Sequence, residues 1–324
     1  RIAFILVSGS SALLLQSTAD LATRMIIQHV FPLNFREYCA LTQKNVANIK
    51  KLRADLEGII LRSESANKLF NNFQNIKSKL DKYISTIDNI DEKIYDYIVY
   101  YNITRLLLIN SKILVEKHIR DLVRRIIYED IPKLQAEQTN PQNVEKILRR
   151  LAASDEINIQ SLSQSIGLSQ NEINKSLDIL VKAELLNVLF SFGGINSKVN
   201  KAQKYFFMSP SIRKAILTPL IEIDNDGIYA KMLEDTVVLY LKRIFGDNSF
   251  LSFSSIKGQQ NPDLIIETLD KPLLLEIGIN KKTTKQLLKS KIKYKYGIII
   301  NAKANDIEIH EDIVIIPLKY FLLV

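Results

Sequence analysis

Three acidic residues in the last third of the chain are spaced for metal-assisted chemistry: Glu234, Asp263 and Glu276. Asp263 follows Pro262 and opens the apolar run Asp263-Leu-Ile-Ile-Glu267, while Glu276 closes Pro272-Leu-Leu-Leu-Glu-Ile277. The two runs read as the strands of a hairpin. Carboxylates at the end of one strand and within the next can converge on a Mg²⁺ ion. Such an ion lowers the pKa of a bound water and steadies the charge that builds on a phosphate. Glu234 sits on the first turns of an apolar helix read from Ile228 to Phe245. The competing reading is bland: the same acids are solvated caps, or remnants of a fold that holds no ligand. Lys281, Lys282, Lys285 and Lys289 lie just beyond the second strand and supply ammonium groups. The stretch from Lys281 to Lys293 also reads as a cationic face for phosphate backbone or solvent.

A second set of residues suits nucleic acid. Helices are expected over 144–152 and 159–166, with Gly167 supplying a turn at positive φ. Ser169 then N-caps a third helix, and Glu172 completes a capping box. That helix buries Ile173, Leu177, Leu180 and Val181 and turns Asn171, Asn174 and Lys175 outward. Strands over 185–190 and 204–208, around Gly193-Gly194, complete a winged helix-turn-helix pattern. Lys198, Lys201 and Lys204 on the wing are placed for phosphate contact. Against sequence-specific readout stand Glu172, Asp178 and Glu184, and the absence of a basic pair for guanine edges. Nonspecific nucleic-acid contact and a protein-docking or structural role both fit.

The elements that must carry these groups belong to a chain of 324 residues, long enough for several cores. Its 47% apolar and 24% charged content is that of a globular protein, and its formal charge of +9 permits an anionic partner. Cys39 is the only cysteine, which excludes an intrachain disulfide and fits a reducing cytoplasm. No apolar run approaches the roughly 20 residues of a membrane span, so no membrane partner is expected. His29, His118 and His310 have no zinc-ligand spacing.

At the other end, Ile2 to Val7 is an all-apolar run stopped by Ser8-Gly9-Ser10-Ser11. It reads as a strand buried on both faces of a parallel sheet. Leu69, Phe73, Ile76 and Leu80 form an apolar helical stripe. Tyr95, Tyr97, Tyr100 and Tyr101 are expected to pack between helices. A helix from Ile119 is stopped near Pro132.

The order of the strand, Ser-Gly-Ser-Ser, Arg24 and Phe31-Pro-Leu-Asn-Phe-Arg-Glu-Tyr38 resembles the end of the ATPase core in prokaryotic AAA-type ATPases with a DUF4143 C-terminal region. The resemblance implies a multidomain α+β chain. Its parts are the end of a P-loop ATPase α/β core (1–44), a helical lid (45–134), a winged helix (135–210) and a restriction-endonuclease-like α/β domain (211–324). It also implies that Ser10 and Ser11 sense a γ-phosphate and Arg24 answers its loss, in a parent that binds ATP and Mg. No G-x-x-x-x-G-K-[ST] motif occurs, so the chain reads as a fragment that does not hydrolyse ATP itself. In the nuclease-like region the motif is Pro-Asp followed by Glu-x-Lys, and here Gly278 stands in place of its lysine.

The expectation from these residues is a nucleotide-dependent switch with nucleic-acid or protein partners. The alternatives are a Mg-dependent nuclease of the PD-(D/E)xK kind, and a winged-helix DNA-binding regulator. The nuclease requires a lysine that has migrated from position 278.

Overall fold

In the computed structural model the described residues are 29–43, 50–134, 139–154, 159–194, 198, 203–219, 226–245, 250–254, 256, 261–281 and 283–324. The strand expected at Ile2 to Val7, and with it Ser10, Ser11 and Arg24, lies outside them, as does Lys201. The architecture is mixed α/β, with helices preceding and flanking one eight-stranded sheet.

The helical half begins with α1 (Phe35–Thr42), whose N-cap Asn34 forms a capping box with Glu37. It continues through α2 (Lys50–Arg62), α3 (Ala66–Ile84) and α4 (Ile90–Val99). The stripe on α3 is buried as its spacing demands: Leu69, Phe73, Ile76 and Leu80 face inward with Ala66 and Tyr83. Tyr97 is fully buried and packs edge-on to Phe35, with ring centroids 5.6 Å apart. Next come α5 (Lys112–Arg125), a π-helical turn (Ile126–Asp130) and α6 (Ile131–Leu134). Pro132 therefore falls inside the final short helix and does not end the preceding one.

Three helices follow: α7 (Pro141–Ala153), α8 (Ile159–Ile166) and α9 (Gln170–Lys182). The turn at Gly167 has φ +71°, and the Ser169–Glu172 capping box is formed. β1 (Leu186–Ser191) and β2 (Lys204–Phe207) then pair antiparallel. After α10 (Pro210–Leu217), the long helix α11 (Asp226–Phe245) buries residues around most of its girth. Its end grips the start of the described chain, because Arg243 donates to the Pro32 carbonyl and to Glu37 at 2.7 Å. Tyr240 Oη accepts from the Phe35 amide at 2.6 Å and donates to the Leu322 carbonyl at 3.2 Å.

The remaining elements are β3 (Leu251–Phe253), β4 (Leu264–Ile266), β5 (Leu273–Gly278), α12 (Lys285–Leu288), β6 (Gly297–Asn301), β7 (Glu308–His310), β8 (Ile313–Pro317) and α13 (Leu318–Phe321). The sheet order is β2-β1-β3-β4-β5-β6-β8-β7. β3, β4 and β5 form an antiparallel meander, whereas β5, β6 and β8 run parallel. β1 joins β3 in parallel through Phe190–Ser252 and Ser191–Phe253. The sheet thus runs unbroken across the boundary read near residue 210. Among the described residues, the lysine-rich stretch after β5 holds one helical turn only, anchored by buried Leu287.

Because side chains alternate along a strand, the sheet has two packed faces. Leu264, Ile266, Leu273, Leu275, Ile298 and Ile300 join the large core. Ile265, Leu274, Ile299, Ile313 and Ile315 pack on the opposite face, against Leu287 of α12. That second face carries the candidate site.

Candidate functional site

The hairpin register decides which acids meet. Leu264 pairs with Leu275 in antiparallel β4–β5, which sets Asp263 opposite Glu276. Both lie on the face of Ile265 and Leu274, since positions two apart point the same way. The Asp263 carboxylate is fixed by the Ile277 amide, which donates to its Oδ2 at 2.8 Å. Glu276 is 1% exposed, and its Oε1 has no hydrogen-bond partner.

The Lys281 ammonium enters the gap between the two carboxylates. It donates to Asp263 Oδ2 at 3.2 Å and pairs with Glu276 Oε2. The backbone that delivers it is pinned from the neighbouring strand: Asn301, buried at the end of β6, donates its amide to the Lys281 carbonyl at 3.0 Å. Gly278 leaves room for the lysine. A Cβ built at 278 would lie 3.0 Å from Lys281 Cβ and 3.2 Å from its Cδ. The glycine that replaces the expected lysine is therefore the reason a lysine three residues later can fold back. Of the ammonium groups considered from the sequence, Lys281 is the one in place. Lys285 and Lys289 make no contact with the acids, and Lys282 lies outside the described residues.

Burial pushes the Glu276 carboxyl up to about 8, the Asp263 charge adds to the rise, and Lys281 opposes it. Burial depresses the Lys281 ammonium, but the two carboxylates outweigh it and hold it above its ordinary range. Two acids facing one another are thus made compatible by a cation between them. The arrangement suits a divalent cation on chemical grounds: an unpartnered buried carboxylate oxygen, a second carboxylate across the register, and an ammonium already standing where positive charge is needed.

The other residues singled out from the sequence are placed elsewhere. Glu234 does not join the pair; its carboxylate takes Lys204 at 2.9 Å, and Lys204 is buried. Lys204 therefore has no solvent face to offer a phosphate. The reason is that β2 packs against α11, which carries Glu234. Lys198 reaches across to Glu267 at 3.0 Å. Asn171, Asn174 and Lys175 are exposed along α9, as expected from its period. Among the described residues, no group of three or more His, Cys, Asp or Glu side chains is set to hold a metal. Asn301 was missed in the sequence, where it reads only as the polar residue that ends a buried isoleucine run. Cys39 is buried, which pushes its thiol up to about 12. No helix among the described residues is long and apolar enough to cross a membrane.

Comparison with known proteins corrects the resemblance drawn from the N-terminal motifs. Residues 109–221 match the model of a domain of unknown function, DUF8612, and neither an AAA-type nor a DUF4143 family is matched. Assignment of the chain to AAA-type ATPases is overturned, and with it the sensor roles of Ser10, Ser11 and Arg24. Short motifs carried that resemblance, and a serine-rich turn with a nearby arginine recurs in many folds. No solved structure matches the chain. Across 99% of its length it is 30% identical to an uncharacterized protein of Methanocaldococcus jannaschii, and it spans 65% of that relative.

Proposed function

We propose that the face of β4 and β5 is a metal-dependent phosphodiesterase site acting on nucleic acid. The observation that carries this reading is the convergence of Asp263, Glu276 and Lys281 in the gap that Gly278 leaves clear. The element order from α11 to β6, a helix, an antiparallel meander and a parallel return strand, supports a restriction-endonuclease-like arrangement. Within it the Pro-Asp and Glu-x-Lys pattern is kept, with its lysine moved to position 281.

Asp263 and Glu276 would hold Mg²⁺, which when bound supplies a water acidic enough to act as nucleophile near neutral pH. Lys281, displaced from its present bridge, orients that water and neutralises charge on the non-bridging phosphate oxygens. The water would give up a proton to solvent as its oxygen bonds to phosphorus and the ester P–O bond breaks, and the leaving alkoxide would take up a proton from solvent. Asn301 keeps the lysine loop in register throughout. Lys285, Lys291 and Lys293 are exposed on the same stretch and suit a polyanionic substrate.

The test is cleavage of labelled single-stranded and duplex DNA and RNA with Mg²⁺ or Mn²⁺. Cleavage that disappears in Asp263→Ala, Glu276→Gln and Lys281→Ala is expected. Absence of cleavage with every divalent metal, in protein whose Mg²⁺ titration is also flat, would retire the reading.

A second reading is nucleic-acid docking by a winged helix-turn-helix formed by α7–α9 and the β1–β2 hairpin. Its support is the exposed row of Asn171, Asn174 and Lys175 on α9. It is weakened at the wing, where Lys204 is buried and Lys198 is paired. Salt-dependent DNA binding that weakens in Lys175→Ala would support it, and binding indifferent to that change would not.

A further inference from the structure

A cavity of about 300 Å³ opens at the junction of α5, the π-helical turn, α7 and the segment after α10. This is at the small end of the range for ligand pockets, which run from about 300 to 1,000 Å³. Its floor is apolar: Val123, Ile127, Leu148 and Ile216 are all buried and all line it. Three guanidiniums stand at the rim, Arg120, Arg124 and Arg149, against the carboxylates of Asp121 and Glu145.

The two carboxylates differ in setting: Asp121 is exposed, whereas Glu145 is half-buried. Glu145 accepts from Tyr128 Oη at 2.6 Å and from Arg149 at 2.6 Å. Burial pushes its carboxyl up, but these two partners outweigh it and hold the group charged. Glu145 and Arg149 thus largely neutralise one another. Arg120 is held loosely, 3.5 Å from the Ala215 carbonyl and 3.8 Å from Glu116. Glu116 is itself engaged by Lys214 at 3.2 Å. Arg124 lies over the Tyr128 ring, 5.9 Å from its centroid. Arg120 and Arg124 sit one helical turn apart on α5 and so reach the same mouth. The π-turn matters because a fifth residue per hydrogen-bonded ring rotates the following side chains. Such turns are found disproportionately at functional sites. Here it sets Ile127 into the floor and Tyr128 beneath Arg124.

We propose that this cavity binds a small amphipathic anion: an apolar or aromatic body seated on Val123, Ile127, Leu148 and Ile216, joined to a phosphate or carboxylate held by Arg120 and Arg124. A nucleoside monophosphate is of this class and size. The site lies wholly within residues 109–221 and uses none of the β4–β5 carboxylates.

The test is isothermal titration of the full chain with adenosine 5′-monophosphate and phenyl phosphate, with inorganic phosphate and adenosine as their separate halves. Saturable binding of at least one whole ligand, tighter than either half, is expected. An Arg120→Ala/Arg124→Ala variant should bind about tenfold or more weakly, because charge-assisted hydrogen bonds are lost. Both arginines lie at the rim, so its melting midpoint should match the parent's. A Glu276→Gln variant should bind as the parent does, which separates this site from the proposed phosphodiesterase centre. Four results would each overturn the proposal. They are no saturable binding, phosphate alone as tight as the whole ligand, affinity unchanged in the arginine variant, or affinity lost in Glu276→Gln.

Discussion

Gly278 and Lys281 must be considered together, because each explains the other. A lysine at 278 would share the face of Glu276, since positions two apart on a strand point the same way, and here a glycine leaves that place on the strand empty. At 281 the side chain instead curls back over the bare Cα of Gly278 and reaches both carboxylates. Adding a single methyl at 278 should force Lys281 away, since its Cβ would sit 3.0 Å from the lysine Cβ. Gly278→Ala is expected to keep the fold, at a cost of about 1 kcal/mol. It should lower the proposed phosphodiesterase rate by less than the roughly hundredfold that an ångström's misplacement can cost, because the lysine need give by only a few tenths of an ångström. Paired urea melts and cleavage rates check this. A variant that cleaves at the parent's rate would show that the lysine's present position is immaterial.

At the scale of elements, α3 is docked on the far side of the sheet by its apolar stripe and by polar contacts from Asp81 and Lys77. Tyr320 of α13 donates to Asp81 at 2.5 Å, and Lys77 reaches the same carboxylate at 2.9 Å. Burial pushes the Asp81 carboxyl up, yet the Tyr320 and Lys77 hydrogen bonds outweigh it and leave it below its ordinary value of 3.8. A depressed acid contributes stability that is present above 3.8 and is lost as pH falls below it. Asp81→Asn should therefore cost less than about 1 kcal/mol at pH 7, solvent screening being strong at this exposed pair. The urea midpoints of parent and variant should converge on acidification below pH 3.8, and a gap that persisted at pH 2 would refute the linkage. The stripe on α3 was legible because a helix writes its buried face into the sequence at spacings of three and four. The same holds for α8, for the Ser169–Glu172 cap and for the β4–β5 hairpin that carries the acids. What was not legible is non-local. β7 is three residues with an exposed, partly exposed, exposed pattern and leaves no apolar signature. The parallel pairing of β1 with β3 joins residues about sixty apart and depends on a sheet edge that no local pattern describes. Lys204 read as a solvent cation because its partner, Glu234, lies thirty residues away on a different element. Asp263 and Glu276 were found from their strands, whereas the lysine's geometry depended on a glycine whose meaning is steric.

For the whole molecule, the continuous sheet makes the region around α7–α9 and the region that carries the acids parts of one body, and the buried Arg213–Asp235 ion pair reinforces the join. Arg213 of α10 is 1% exposed and grips Asp235 of α11 with Nε at 2.6 Å and Nη2 at 3.0 Å. Its Nη1 caps the carbonyls of Leu151 and Ala152 at the end of α7, and the guanidinium lies over the Phe207 ring, 4.8 Å from its centroid. Asp235 in turn accepts from the Phe207 amide of β2 at 2.8 Å. Four elements thus meet at two side chains, with every oxygen of Asp235 engaged. Removing one partner strands the other charge in a dry interior, so Arg213→Met should cost about 3–5 kcal/mol. Replacing both, Arg213→Met with Asp235→Leu, should recover much of that loss, because two apolar groups carry no desolvation penalty. What the double variant does not restore is the cap on α7 and the tie to β2. Denaturant unfolding followed separately by tyrosine fluorescence and by far-ultraviolet dichroism reads both effects. The parent should unfold in one coincident transition, and the double variant should split into two as α7–α9 releases first. A coincident transition in the double variant would mean that sheet continuity through β1 and β3 suffices to couple the halves. An Arg213→Met cost under about 1 kcal/mol would mean that water reaches the pair.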